Sequence, residues 1–202
     1  MPLEVACEAS AAIRSRYARA LVRFSYRSLF QLGTIQADPH PGNFLFGDDG
    51  RVTCLDFGCV RSFEPELVAA LHSLLVAIDR DDRPAFRDAI IAVGMVPRPK
   101  RFDFDHAFKM MEHLHRPLLR SRFSFTPDYV REGMDHNGPT NPNARHTDIP
   151  GPYVWIARLQ WGLWSLLTRL RAEVVLRDIL DDVLAQPLEG LTECEADATR
   201  SH

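Results

Sequence analysis

The chain has 202 residues, 46% of them hydrophobic and 25% charged, with a formal net charge of -3. These values suit a globular chain with one full core and exclude collagen-like, low-complexity and wholly disordered readings. No basic excess points to nucleic acid, and the longest apolar candidates for a membrane span are broken by His72 or Arg158.

Residues 11–32 predict a helix, with Ile13, Tyr17, Leu21, Phe24 and Leu29 interleaved with arginines. The first ten residues are weakly patterned. GTIQADPHPGN follows, and Pro39 and Pro41 forbid a continuing helix there. Two short apolar runs, 44–46 and 52–55, flank Gly47 to Gly50 and predict a hairpin that leads directly into Asp56, Phe57 and Gly58. A helical period then carries Leu67, Leu71, Leu74, Leu75 and Ile78 behind Ser62 as its cap. Further helices are predicted over 84–93, stopping at Gly94, and over 104–119, capped by Asp103. Residues 121–152 read as a mobile surface loop with one short helix after Thr126 and Pro127, its stretch 134–152 too polar and proline-rich to pack. The most apolar helix is predicted over 153–171, and a last one over 176–184 precedes a polar tail. Cys7, Cys54, Cys59 and Cys194 form no C-x-x-C pair and no leader segment is visible. Free thiols and a cytoplasmic location, with peripheral membrane attachment left open, are therefore the expectation.

Asp38, Asn43 and Asp56 stand out, because two carboxylates and an amide lie on the loop before a hairpin and the turn after it, and a hairpin brings its ends together. Each feature alone is an ordinary turn device. Their order is more specific: QADPHPGN, a hairpin, then LDFG. The set resembles a kinase catalytic loop and DFG turn, and more closely the UbiB (AarF-like) family of atypical protein-kinase-like proteins. WIARLQWGLWSLLTRLRAE resembles that family's C-terminal region. The resemblance implies a mainly α fold: a protein-kinase-like C-lobe with one small β-hairpin and no N-lobe. The expected division is an N-terminal helical segment at 1–32, the C-lobe at 33–185 and the tail at 186–202, with loop, hairpin and DFG at 33–58.

The resemblance also implies ATP and Mg2+ as cofactors. A polyphosphate cannot approach carboxylates without a divalent cation between them, since a charge pair at ~4 Å and an effective dielectric near 20 is worth about 4 kcal/mol. Asp56 and Asn43 would hold metal ions, Asp38 would orient or deprotonate the acceptor, and His40 would donate a hydrogen bond near the γ-phosphate.

Much of a complete kinase is missing. No lysine precedes Lys100, so no strand lysine is available for the phosphates, and the family's K-x-G-Q motif and nucleotide loop are absent. Gln36 stands where the family places histidine, which predicts a poorly braced loop. Three readings compete: the catalytic half of a UbiB-like enzyme, linked to ubiquinone or isoprenoid-lipid metabolism, whose lid lies on an adjacent polypeptide or was lost from the gene model; a pseudokinase-like binding module; and a membrane-surface helical lipid-binding protein. Trp155, Trp161 and Trp164 beside Arg158 and Arg169, with the arginine-rich first helix, motivate the third. The tryptophans are expected in the core, Arg61 is a candidate partner for Asp38 or a phosphate, and His106, His113 and His115 lack the i, i+4 spacing of a metal site.

Overall fold

A computed structural model describes residues 1–185. The elements run α1 (Leu3–Ala6), α2 (Ala11–Leu32), β1 (Thr34–Gln36), β2 (Phe44–Phe46), β3 (Val52–Cys54), β4 (Val60–Ser62), α3 (Pro65–Asp79), α4 (Arg83–Ala92), α5 (Phe104–Leu119), β5 (Phe123–Ser124), α6 (Pro127–His136), α7 (Gly151–Arg169), β6 (Glu173–Val174) and α8 (Arg177–Ala185). The polar tail expected at 186–202, Cys194 included, lies outside the described residues.

Helix α2 starts where the Ser10 hydroxyl accepts from the Ile13 amide and stops at Gly33, whose φ of 60° is left-handed and suits a residue without Cβ. Tyr17, Leu21, Val22, Leu29 and Phe30 form its buried stripe, whereas Phe24 stays partly exposed. Arg19 and Arg23 reach across to Asp178 and tie α8 to α2. Helices α4, α5 and α6 each begin at a side-chain cap, with Asp82 accepting from Ala85, Asp103 from His106 and Thr126 from Tyr129. Ser62 does not cap α3, because it ends β4. That helix opens behind Glu64 with Pro65 in its first turn, a position that needs no amide hydrogen.

The architecture is mainly α with one small β-hairpin, as expected, and two further strand pairs between distant segments accompany it. Hairpin β2–β3 pairs Phe44 with Cys54 and Phe46 with Val52. A second antiparallel pair, β1–β4, joins Thr34 to Ser62 and Gln36 to Val60, and a third joins β5 to β6. Strands of two or three residues carry no alternation pattern, and their partners are distant along the chain, so only the hairpin leaves a local signal.

Helix α7 lies in the core through Leu159, Leu163, Leu166 and Leu167, and the fully buried Trp164 donates its indole N–H to the Leu114 carbonyl at 3.0 Å. Trp155 and Trp161 pack against the same core but stay partly exposed, so of the three only Trp164 is a core tryptophan as expected. The segment expected not to pack does so at one point. Asn143 is buried, accepting from the Asp103 amide and donating to the Asp103 carbonyl, both at 2.7 Å. With both ends of its amide satisfied, a polar side chain can be buried there. Tyr129 is also buried, on α6, the short helix expected after Thr126 and Pro127.

Candidate active site

Two pairings bring the predicted residues together. The Leu55 amide donates to the Asn43 carbonyl at 2.9 Å, extending the hairpin by one step, and the Ala37 amide donates to the Cys59 carbonyl at 2.8 Å, extending β1–β4. The loop 37–43 thus lies beside the turn 55–59. Gln36, buried on β1, clips them: its Oε1 accepts from the Asp38 amide at 3.1 Å and its Nε2 donates to the Asp56 carbonyl at 3.3 Å.

Asp38 is held from both sides. Asn43 Nδ2 donates to its Oδ2 at 2.9 Å and to its carbonyl at 3.0 Å, and Arg158 donates to its Oδ1 at 2.8 Å. The Arg158 guanidinium first, and then the Asn43 amide, hold the carboxyl below the usual carboxylate range, against the opposing effect of burial. Asp38 is therefore ionised at neutral pH.

The other three residues each keep an atom available. His40 is exposed, and its Nδ1 accepts from the Gly42 amide at 3.0 Å, so Nε2 is the ring nitrogen left to donate. Using Nδ2 for Asp38 leaves the Asn43 Oδ1 carbonyl without a donor among the described residues. Asp56 accepts from the Gly58 amide through Oδ1 at 2.6 Å, shaping the turn and leaving Oδ2 in solvent.

These atoms fit magnesium. The cation takes oxygen ligands, keeps several waters and needs only one or two protein donors beside substrate phosphates. Among the described residues no group of three His, Cys, Asp or Glu side chains could hold a metal by itself. The hard oxygens of Asp56 and Asn43 match a cation shared with a polyphosphate, and nothing in the set favours a softer metal.

Two contributors went unrecognised in the sequence. Gln36 is read there as a defect, yet a neutral amide can accept from one strand and donate to another, and here it does both. Arg158, noted there only as a break in an apolar run and as a neighbour of the tryptophans, is the partner of Asp38, whereas Arg61 lies over the Trp155 ring at 4.6 Å. The pairing spans 120 positions and leaves no sequence pattern. The histidines of α5 belong to no metal-holding group of three His, Cys, Asp or Glu side chains among the described residues. His113 is buried, with Nε2 3.0 Å from the Tyr129 carbonyl and Nδ1 unpartnered. Glu132 lies 3.9 Å from Nδ1, but burial dominates and lowers the pKa of the ring, which is neutral at pH 7. Burial lowers that of His115 as well.

Comparison with known proteins is consistent with this geometry. Residues 5–89 match a family model described as the ABC1 atypical kinase-like domain. An uncharacterized aarF domain-containing protein kinase of Arabidopsis thaliana, chloroplastic, is 38% identical over 74 residues, 36% of this chain and 10% of that protein. The mitochondrial atypical kinase COQ8B of Rattus norvegicus is 33% identical over 188 residues, 90% of this chain and 35% of that protein. Among solved structures, Rv3197 of Mycobacterium tuberculosis, determined in complex with erythromycin, superposes with a TM-score of 0.75 at 19% identity. That match covers 93% of this chain and 48% of the other, and it shows a shared kinase-like fold. The chain spans a tenth to a third of these two curated relatives. No helix among the described residues is long and apolar enough to cross a membrane.

Proposed function

Because the chain belongs to the UbiB (AarF-like) family of atypical protein-kinase-like proteins, we propose that it is the catalytic half of a Mg-ATP site for phosphoryl transfer, linked as in that family to ubiquinone or another isoprenoid lipid. The observation that carries this reading is the Gln36 clip, which sets Asp38 and Asp56 on adjoining backbones while Asn43 Oδ1 and Asp56 Oδ2 stay unbonded. Magnesium, when bound with the nucleotide, would neutralise phosphate charge as it develops. Asn43 and Asp56 would hold it, and His40 Nε2–H would donate toward the terminal phosphate. Asp38, fixed by two donors, would orient the acceptor hydroxyl and take its proton late, since a loose transfer asks little of a base.

The reading includes a lid that these residues do not supply. Residues before the loop form α1 and α2 and contain no lysine, and Leu45, Leu55, Phe57 and Val60 around the DFG turn are all at least 40% exposed. Losing one charge-assisted phosphate contact costs roughly 1.5–3 kcal/mol, or about 10- to 150-fold in affinity. The chain alone is therefore expected to bind Mg-ATP weakly and turn it over slowly or not at all. Calorimetric titration with ATP, with and without magnesium, beside a radiolabelled hydrolysis assay, tests both parts. Binding that needs magnesium and disappears in Asp56→Ala supports the site. Equal binding in that variant refutes it, and vigorous metal-dependent turnover refutes the need for a lid.

The membrane-surface reading keeps only the partly buried Trp155 and Trp161 in its support, because Trp164 is fully buried and Arg14, Arg16, Arg19, Arg23 and Arg27 of α2 all bond to protein groups.

A further inference from the structure

Asp38 divides its surroundings. Its Oδ2 faces Asn43, on the metal side, and its Oδ1 faces Arg158 across a cleft of about 280 Å3 between the catalytic loop and α7. Arg158, Gly162, Ser165 and Arg169 line the α7 wall at i, i+4, i+7 and i+11, the spacing of one helical face. Asp38 and His40 contribute to the opposite wall. Gly162 sets the depth: a Cβ there would sit 2.2 Å from Pro39 Cγ, so a glycine is what lets helix and loop meet at this point.

The cleft carries two guanidiniums, each paired with one carboxylate. Each guanidinium is anchored by a single hydrogen-bonded donor, Arg158 to Asp38 and Arg169 to Glu4 at 3.0 Å. An arginine has five N–H donors in a rigid fork, so most of the donors of both residues remain for a ligand, in the geometry that suits phosphate or carboxylate. Resting on the kinase reading, we infer that this cleft is the acceptor subsite and that it takes an acceptor whose hydroxyl is carried beside an anionic, phosphate-like group, with Arg158 bridging that group and Asp38. In the transfer, the acceptor hydroxyl oxygen bonds to the γ-phosphorus while the bond from that phosphorus to the β–γ bridging oxygen breaks. The bridging oxygen leaves with the electron pair on the nucleoside diphosphate, and the hydroxyl proton passes to Asp38.

The test uses the full chain without nucleotide or magnesium, so that it is independent of Mg-ATP binding. Inorganic phosphate is titrated while NMR follows the arginine Nε–H signals and the backbone amides of 38–40 and 158–169. The expected result is a saturable shift confined to those residues, with affinity reduced about tenfold in Arg158→Gln or Arg169→Gln, the worth of one good contact. It is expected to be unchanged in Arg131→Gln, an exposed arginine of α6. Equal weakening in Arg131→Gln, or no loss in either α7 variant, overturns the inference. Thermal melts of the variants, and Arg158→Lys retaining part of the affinity, separate a binding defect from misfolding. A parallel arm uses phosphatidylcholine vesicles with and without phosphatidic acid. Arg158-dependent binding to the anionic vesicles alone assigns the anion to a lipid headgroup, binding of free phosphate alone assigns it to a soluble phosphoester, and binding of neither overturns the inference. Phosphate binding that persists where Mg-ATP fails to bind would leave the cleft standing and remove the kinase reading.

Discussion

Gln36 makes two bonds from a buried position, so its loss strands two polar backbone groups. Leaving a buried donor or acceptor unmade costs ~1–3 kcal/mol. Gln36→Leu is expected to lower stability by about that amount in urea denaturation and to weaken Mg-ATP binding in parallel, whereas Gln31→Leu on the neighbouring helix should leave the nucleotide untouched. His113 and His115 give a second signature. Their folded pKa values lie below the ordinary 6.5, so below that pH the unfolded chain binds protons that the folded chain refuses. Stability is then highest above the ordinary histidine value and falls as pH drops toward the lowered ones. Melting temperatures at pH 7 and pH 5.5 should show the loss, and His113→Gln with His115→Gln should flatten it while keeping side-chain donors for the same carbonyls. At this scale the sequence shows Asp38, Asn43 and Asp56 clearly, because a loop, a hairpin and a turn are local and their spacing is written along the chain. It does not show the Arg158 partner or the Gln36 clip, which depend on how α7 and β1 are brought alongside.

Helix boundaries are legible for a related reason: a helix start is a local hydrogen-bonding event. Asp103 caps α5 and α2 runs over 11–32, both as the sequence predicts, because cap and stripe lie within a few residues of each other. Where a competing role exists the reading fails, as for Ser62, which has a strand partner in Thr34. Helix α7 couples core and site, since one face carries Leu163, Leu166 and Leu167 and another meets Pro39. Gly162→Ala is expected to push helix and loop apart, costing roughly 1–3 kcal/mol as overpacking does. The same variant should loosen Asp38, seen as a broadened or shifted amide signal at residue 38 without comparable change at Asn143.

For the molecule as a whole, Leu55 and Phe57 form an apolar rim of the site that is more than half exposed. Leu55→Ser with Phe57→Ser is expected to change stability by less than about 0.5 kcal/mol, as surface substitutions do, while reducing self-association measured by light scattering. The fold class was legible because helical periods dominate the chain. The second and third strand pairs were not, since each joins segments separated by other elements. One of those pairs carries a consequence. Strands β1 and β4 fasten the base of everything from Ala37 to Cys59, and the hairpin inside is fastened in turn by the Leu55 amide on Asn43. Transient opening of the base would release both halves of the pocket together, so the catalytic geometry should be lost and regained as one cooperative unit, not frayed away residue by residue.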